Sequence, residues 1–296
     1  MKGKSFWPYK KKCAVIITVD YHDIEGALTQ YPQLKGREKS LSVWRYGSLR
    51  GVDRLLNLLN EKDIKSTWCI PSSVAKKHSN HIYHLIESGH EVACSGAKHE
   101  DYSNLSLKGQ IANLQTGVKE LTNIMGRRPE GFRIPAGHWQ QGFVNALHDE
   151  GITWSSSWRG DDIPFFHVEK PIIETPLHYE LEDAPYFAFN LSPAVPVGQS
   201  RIASYSETLE NMKLDFEGFY RLGLCYVLRL HPEIIGTAGR IQLLSSLIDF
   251  IQSKSGVWIT TASDIARWWQ TQPSNTQDHP ANIYFKYVKK HSHNHF

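Results

Sequence analysis

Short apolar segments alternate with longer amphipathic segments along most of the chain. Residues 14–19 are continuously apolar or β-branched and end at Asp20, a pattern typical of a strand that is buried on both faces. Further short segments with strand character are 64–70, 91–95, 131–135, 152–156, 172–176, 224–230 and 256–261. Apolar residues at helical spacing predict helices over 52–62, 74–88, 107–125 and 241–253. Gly126 follows the third of these helices at a position that suits a C-cap.

This alternation predicts an α/β fold. Strands that are separated by helices pair in parallel through β-α-β crossovers, and a barrel accommodates many such units without an exposed edge. We therefore expect a distorted parallel (β/α) barrel of about seven strands, in a single domain over residues 13–270. A basic N-terminal segment (1–12) precedes it, and an irregular C-terminal tail (271–296) follows it.

The composition narrows the class of protein. The 296 residues are 41% hydrophobic and 21% charged, as in an ordinary globular protein, and the net charge of +3 is too small to indicate a nucleic-acid partner. No apolar stretch approaches the ~18 residues of a membrane helix, and the N-terminus does not have the pattern of a signal peptide. The four cysteines are dispersed and form no CxxC pair, which favours buried thiols and a reducing, cytoplasmic setting. They are Cys13, Cys69, Cys94 and Cys225.

Polar residues that can do chemistry follow the ends of the predicted strands. These residues are Asp20, His22, Asp23, Ser95, His99, Arg133, Asp161, Asp162 and His231. The carboxyl ends of parallel barrel strands converge on one face, where the active sites of such barrels lie. The sequence therefore predicts one pocket.

Five segments carry a resemblance to a known family. They are residues 18–20, 89–100, 132–135, 154–164 and 230–232. In this order they resemble the motifs of the polysaccharide deacetylase family, which removes acetyl groups from N-acetylated sugars, and the resemblance extends over about residues 13–269. Tyr46-Gly47, Gly239-Arg240 and residues 174–176 resemble a branch that includes cytoplasmic peptidoglycan deacetylase-like proteins and metal-independent allantoinases. The resemblance to this branch implies a homo-oligomer, with a tetramer as the family analogy.

The resemblance also implies catalytic roles. It places Asp20 as the general base and His231 as the general acid. Amide hydrolysis requires a base that activates water, a group that stabilises the oxyanion and an acid that protonates the departing nitrogen. The planar guanidinium of Arg133 suits a carboxylate, either near Asp20 or on an acidic substrate. We expect Asp161 or Asp162 to position the His231 ring.

Four residues are candidates for substrate binding. Asp161 and Asp162 belong to the fourth motif, and Trp139 and Tyr186 have aromatic faces that stack on sugars or heterocycles. Packing in the core is the alternative for the two aromatic residues. A small-molecule or sugar substrate follows from either the deacetylase or the allantoinase resemblance.

The family's metal site is altered in this sequence. The family binds its metal through an aspartate and two histidines in an H-x-x-x-H spacing, but Ser95 occupies the first histidine position and His99 the second. The aspartate position of the branch is His22. His22 and His99 are therefore the candidate metal ligands, and a serine hydroxyl is a weak ligand for zinc. These changes weigh against a tightly bound catalytic metal but leave zinc or another divalent ion open.

Other histidines have simpler interpretations. His78, His81 and His84 are predicted on an exposed helix face, and His291, His293 and His295 in the tail. Three functions therefore remain: a deacetylase-like amide hydrolase, a metal-independent hydrolase of a cyclic amide, and a catalytically silent module that binds a carbohydrate or metabolite.

Overall fold

The computed structural model describes residues 7–191, 194–195, 198 and 201–272. Its strands are β1 (Cys13–Asp20), β2 (Thr67–Ile70), β3 (Glu91–Cys94), β4 (Gly131–Phe132), β5 (Trp154–Ser155), β6 (Phe165–Phe166), β7 (Ile173–Glu174), β8 (Asn190–Leu191), β9 (Ala194–Val195), β10 (Cys225–Leu230) and β11 (Val257–Thr260). Its α-helices are α1 (Glu25–Gln30), α2 (Glu38–Tyr46), α3 (Val52–Glu61), α4 (Ser72–Lys77), α5 (Ser79–Glu87), α6 (Leu107–Met125), α7 (Phe143–Asp149), α8 (Ala184–Phe187), α9 (Tyr205–Leu222), α10 (Pro232–Ile235), α11 (Arg240–Gln252) and α12 (Ala262–Gln270). Single 3-10 turns cover Pro8–Lys10, Pro32–Leu34, Tyr102–Asn104 and Tyr179–Leu181, and a π-helical turn, Gly47–Gly51, joins α2 to α3.

A curled nine-stranded sheet forms the centre of the molecule. Its order is β10-β1-β2-β3-β4-β5-β7-β6, and β11 pairs with the first half of β1. Every pair in it is parallel except the pair of β6 with β7. The predicted fold class, a distorted parallel (β/α) barrel in a single domain, is confirmed.

The strand β1 lies in the interior of the sheet. All eight residues of this strand are buried, because β10 lies on one edge of the strand and β11 and β2 lie on the other. A strand in this position must be apolar on both faces, as its sequence is. Asp20 ends the strand and is nevertheless fully buried, so its charge requires partners.

The helices follow the sequence pattern with two differences. The predicted helix over 74–88 is two helices, α4 and α5, because the backbone leaves helical geometry at His78, whose ring is bound to Asp23. The 18-residue helix α9 was not predicted; it buries Met212 and Phe216 four residues apart on an otherwise polar helix. The helix α6 has the predicted bounds, and Gly126 caps it with a φ of 71°.

The two ends of the described chain pack against the barrel. Trp7 is buried and contacts Trp258 and Trp269, so part of the predicted N-terminal segment belongs to the core. The tail beyond residue 272, with its three histidines, lies outside the described residues. All four cysteines are free and buried, which confirms the interpretation as buried thiols. Within the described part of the chain, no helix is long and apolar enough to span a membrane.

Candidate active site

The polar residues at the carboxyl ends of the strands come together at one face of the barrel. β1 ends at Asp20 and leads to His22, and the loop after β3 carries Ser95 and His99. β4 leads directly to Arg133, and β10 carries Arg229 near its end, just before His231. Parallel strands point the same ends to one face, so this convergence follows from the topology. Asp183, which contacts His231, and Glu233, which lines the same pocket, complete the site.

Asp20 is bound by two arginines. Arg133 Nη1 donates to Oδ1 at 2.7 Å, and Arg229 donates to Oδ2 through both Nε and Nη2 at 2.7 Å. Burial alone raises the pKa of Asp20, but the charges of the two guanidinium groups outweigh it and hold the pKa well below its usual range. Arg133 therefore binds Asp20 itself, which corrects the expectation that it holds a neighbour of Asp20 or an acidic substrate. It is buried, and its remaining N–H groups donate to Thr18 and Ser156.

The ring of His231 is held by Asp183. Nδ1 of His231 lies 2.7 Å from Asp183 Oδ1, and the backbone N–H of His231 donates to Asp183 Oδ2 at 2.8 Å. Burial lowers the pKa of His231, but Asp183 outweighs burial and raises the pKa to about 9. The expectation that Asp161 or Asp162 positions this ring is therefore wrong. With Nδ1 bound, Nε2 is the nitrogen that remains for chemistry in the pocket, and the ring is protonated at neutral pH.

Asp161 and Asp162 lie in a separate depression of about 470 Å³. Asp162 Oδ1 is 2.9 Å from His178 Nε2, and Asp161 accepts backbone N–H groups of its own loop. Neither aspartate is among the described residues that line the pocket around His231. Substrate binding by Asp161 and Asp162 stays a prediction and would take place outside that pocket.

Trp139 and Tyr186 are also absent from the lining of the pocket around His231. Trp139 packs on Phe143 and Trp158, with ring centroids 5.5 Å apart in both pairs. The Tyr186 hydroxyl donates to the backbone oxygen of Glu180. Both side chains therefore make contacts within the protein, and their role in substrate binding remains a prediction.

The two histidines at the family's metal positions are adjacent and neutral. The ring centroids of His22 and His99 are 4.1 Å apart. Burial lowers the pKa of His99 to about 4, and burial together with the neighbouring His99 lowers the pKa of His22 well below its usual range. His22 Nε2, His99 Nδ1 and Ser95 Oγ are buried, and no described residue forms a hydrogen bond with them. Each of these atoms therefore keeps its capacity for a hydrogen bond.

The donors around these histidines do not fit the metal that the family resemblance implies. The nearest carboxylate, Asp20, already accepts N–H groups on both oxygens, and Arg229 and the protonated His231 place positive charge in the same pocket. Two neutral imidazoles and a serine hydroxyl remain, which is a poor set for a divalent ion. Within the described part of the chain, no group of three or more His, Cys, Asp or Glu side chains is arranged to hold a metal.

The site consists of two adjoining chambers. The first, the histidine chamber, has a volume of about 120 Å³ and contains His22, His99, Arg229 and His231 in its wall. The second, the aromatic chamber, has a volume of about 260 Å³ and is lined by residues that include Tyr46, Phe187, Ile202 and Arg240. The two chambers share Trp44, Ala188, Glu233 and Ile234. The two chambers therefore adjoin along a common wall.

His78 and His81 belong to the support of this pocket. His78 Nε2 lies 3.1 Å from Asp23 Oδ2, and His81 Nδ1 lies 3.0 Å from the Tyr21 hydroxyl. Their side chains are 20% and 17% exposed, so the predicted solvated face is wrong for these two histidines. Lys77 and Ser48 also donate to Asp23, so both of its oxygens have hydrogen-bond partners and compete poorly for a metal.

Sequence reasoning missed three residues of the site. Arg229 lies two residues before His231, and strand alternation places such positions on the same face, which is a usable signal. Glu233 follows His231 in the next turn, but nothing in the local pattern separates it from a helix-terminal carboxylate. Asp183 is 48 residues away from His231, so no local pattern could pair them.

Comparison with known proteins agrees with this architecture. Residues 44–155 match the family model described as polysaccharide deacetylase. The structure of a putative polysaccharide deacetylase from Mycobacterium smegmatis has a TM-score of 0.84 and 27% identity, over 91% of this chain and 95% of that one. A peptidoglycan deacetylase-like protein of Gibberella zeae is 23% identical over 77% of this chain and 78% of its own length. The structure of Puue allantoinase shares the fold, with a TM-score of 0.79 and 21% identity over 93% of this chain and 96% of that one. The resemblance to the polysaccharide deacetylase family that the sequence motifs indicate is thus confirmed, with the family model matching residues 44–155.

Proposed function

We propose that the protein hydrolyses a non-peptide amide C–N bond of a small molecule. The observation that carries this proposal is the Asp183–His231 pair, which holds a protonated imidazole at the wall of the histidine chamber. A departing amide nitrogen must be protonated, and a positioned imidazolium supplies that proton. The names of the relatives, which include deacetylases and an allantoinase, describe the same kind of bond cleavage.

Arg229 is the group best placed to stabilise the oxyanion. Three of its five N–H groups donate to Asp20 and Glu182, and the other two donate to no group in the described part of the chain. The side chain lines the histidine chamber and is 18% exposed. In this proposal Asp20 orients the guanidinium group, and a carbonyl oxygen that becomes negative lies against it. Preorganised donors of this type contribute about 10²–10³ in rate each.

The assignment of Asp20 as the general base has a physical obstacle. A base needs a pKa near the working pH, whereas Asp20 accepts three N–H groups from two arginines, whose charges hold its pKa well below the usual range. Its contacts support a positioning role. The general base is then another residue of the histidine chamber.

A metal-independent hydrolysis is favoured over a metal-dependent deacetylation. The residues available as metal ligands support this preference, because Asp20 is bound to arginines and Ser95 replaces a histidine. In this version Arg229 and His231 supply the positive charge that a Lewis acid otherwise supplies. Cyclic amides are the first substrates to test, and a catalytically silent binding module is the outcome if none reacts.

The aromatic chamber indicates the shape of the substrate. It adjoins the histidine chamber through shared wall residues and presents Trp44 and Phe187, whose faces suit an aromatic or apolar group. A molecule with an amide at one end and such a group at the other fits both chambers. A soluble metabolite in the cytoplasm would suit the four reduced cysteines, and a homo-oligomer remains the family analogy.

The test uses a panel of amides with the full-length protein. The panel contains 5-benzylhydantoin, allantoin and N-acetylglucosamine, and liberated amine or opened ring is measured by mass spectrometry. We expect turnover of a cyclic amide and at least 10²-fold less turnover by His231→Gln. Binding of the same compound by both proteins without turnover by either would instead indicate the silent module.

A further inference from the structure

Glu233 is held in the wall between the two chambers. It belongs to α10, which packs on the π-helical turn Gly47–Gly51. A Cβ atom on Gly51 would lie 2.0 Å from the Pro232 carbonyl oxygen, and one on Gly47 would lie 3.2 Å from Glu233 Oε2. The two glycines therefore allow the close approach of α10 and leave space for the Glu233 carboxylate.

The carboxylate of Glu233 differs from the other carboxylates of the site. Each of those accepts from at least one cationic or imidazole side chain: Asp20 from Arg133 and Arg229, Asp23 from Lys77 and His78, Glu182 from Arg159 and Arg229, and Asp183 from His231. Across residues 7–191, 194–195, 198 and 201–272, no other side chain forms a hydrogen bond or ion pair with the Glu233 carboxylate. Its own backbone N–H interacts with it. Its lone pairs are thus available to a ligand.

We propose that Glu233 is the catalytic proton acceptor that activates the attacking water, with His231 as the opposing proton donor. This inference rests on the proposed amide hydrolysis and adds the base that Asp20 does not provide. Glu233 lines the histidine chamber together with Arg229 and His231, so base, oxyanion donor and acid surround one volume of about 120 Å³. That volume has space for one small functional group and a water molecule.

The step balances without any further reactant. Glu233 takes a proton from water while the water oxygen forms a bond to the amide carbon. The carbonyl π electrons move to the oxygen, which becomes an oxyanion beside Arg229. When the oxyanion collapses, the C–N bond breaks and His231 Nε2 gives its proton to the departing nitrogen. A linear amide gives a carboxylic acid and an amine, a cyclic amide gives one ring-opened molecule that carries the new carboxylic acid and the released N–H group, and proton exchange with solvent restores Glu233 and His231.

The ionisation of the two groups supports this division of roles. Burial raises the pKa of Glu233 to about 7, with His231 opposing the shift and Asp183 and Asp20 adding to it. The pKa of His231 is about 9. Between these values Glu233 is an anion and His231 a cation, as the two roles require.

The charged and titratable groups around Glu233 come from several elements. They are Asp20 and Tyr21 at the end of β1, His22 and Asp23 in the loop after it, His99 after β3, Asp183 before α8, Arg229 and His231 at the end of β10, and Arg240 at the start of α11. The apparent pKa values of the pair belong to this group as a whole.

The pH dependence of kcat/KM discriminates between the two candidate bases. With Glu233 as the base, activity rises through pH 7 and falls through pH 9, so the profile is bell-shaped. With Asp20 as the base, the acid limb lies below pH 4, because the pKa of Asp20 is lowered. A profile that is flat from pH 5 to pH 8 would therefore overturn the inference.

Variants test the same inference with 5-benzylhydantoin and the other panel amides as probes. Glu233→Gln should lose about 10²–10⁴ in kcat, and Glu233→Ala should regain activity in sodium formate, which a merely structural role would not produce. Glu210→Gln, the same change at a site that is 66% exposed, is the matched control and should match the wild type. Thermal unfolding checks that each variant is folded.

The outcomes separate the inference from the proposed function. Turnover that is lost in His231→Gln but retained in Glu233→Gln refutes the role of Glu233 and leaves the amide hydrolase standing. Absence of turnover of every probe by the wild type refutes the proposed function and the inference with it. Loss of activity in Glu233→Gln without formate rescue of Glu233→Ala, in proteins that are folded, contradicts a proton-transfer role.

Discussion

Replacement of Asp20 by asparagine should lower the stability of the protein and not only its catalytic rate. Asp20 is fully buried and neutralises Arg133, which is 1% exposed, and part of the charge of Arg229. In Asp20→Asn the amide keeps the volume of the side chain but removes the charge, so two guanidinium groups lose their common anion. Breaking a buried ion pair on one side costs about 3–5 kcal/mol, because an uncompensated charge remains in the interior.

The expected change is large enough for a simple assay. For a chain of this size, 3–5 kcal/mol corresponds to a Tm lower by roughly 6–20 °C. Urea unfolding followed by circular dichroism would measure the free energy, and differential scanning calorimetry the Tm. The control is Asp249→Asn, whose carboxylate is 58% exposed and pairs with Lys62, and which should cost about 1 kcal/mol or less. Equal stability of Asp20→Asn and wild type would refute the interpretation of Asp20 as the anion that holds both Arg133 and Arg229.

Three further predictions follow from the site. His231 has a raised folded-state pKa, so its contribution to stability is complete below pH 6.5 and is lost as the pH rises to about 9. The free energy of unfolding of the wild type, measured in urea titrations, should therefore fall relative to that of His231→Gln over this pH range. A constant difference between the two proteins would contradict this prediction. Trp44→Ala should raise KM for 5-benzylhydantoin several-fold more than KM for unsubstituted hydantoin, and an equal effect on both would remove the aromatic chamber from substrate binding. Elemental analysis of a protein in which the tail residues His291, His293 and His295 are alanine should find far less than one equivalent of zinc, whereas one equivalent that is lost in His99→Ala would mean that His22 and His99 hold a metal.

The barrel could be predicted from the sequence because its strands and helices leave local signals. The apolar run that ends at Asp20 can pack only as a strand with neighbours on both edges, and the amphipathic pattern of α6 ends at a glycine in the left-handed conformation. The break between α4 and α5 could not be predicted, because it depends on a contact of His78 with Asp23, 55 residues away. Local propensity does not contain such a contact.

The candidate site was predicted in part for the same reason. The convergence of Asp20, Arg133 and His231 follows from parallel topology, which the sequence indicates. Which atoms pair within the site depends on distances of a few tenths of an ångström and on partners such as Asp183 and Arg229, which lie far from Asp20 in the chain. The sequence therefore indicated that these residues converge on one face, but not which partners bind them.

Hydrolysis of 5-benzylhydantoin by the wild type and His231→Gln, measured in the presence of a metal chelator, tests both the role of His231 and the independence from metal. Metal-independent hydrolysis with His231 as the acid predicts that the wild type opens the ring at an undiminished rate with the chelator, and that His231→Gln is at least about 10²-fold slower. Turnover that stops with the chelator and returns with zinc would contradict metal-independent hydrolysis. Equal rates for the two proteins would show that the Asp183–His231 pair does not supply the proton for cleavage of the C–N bond.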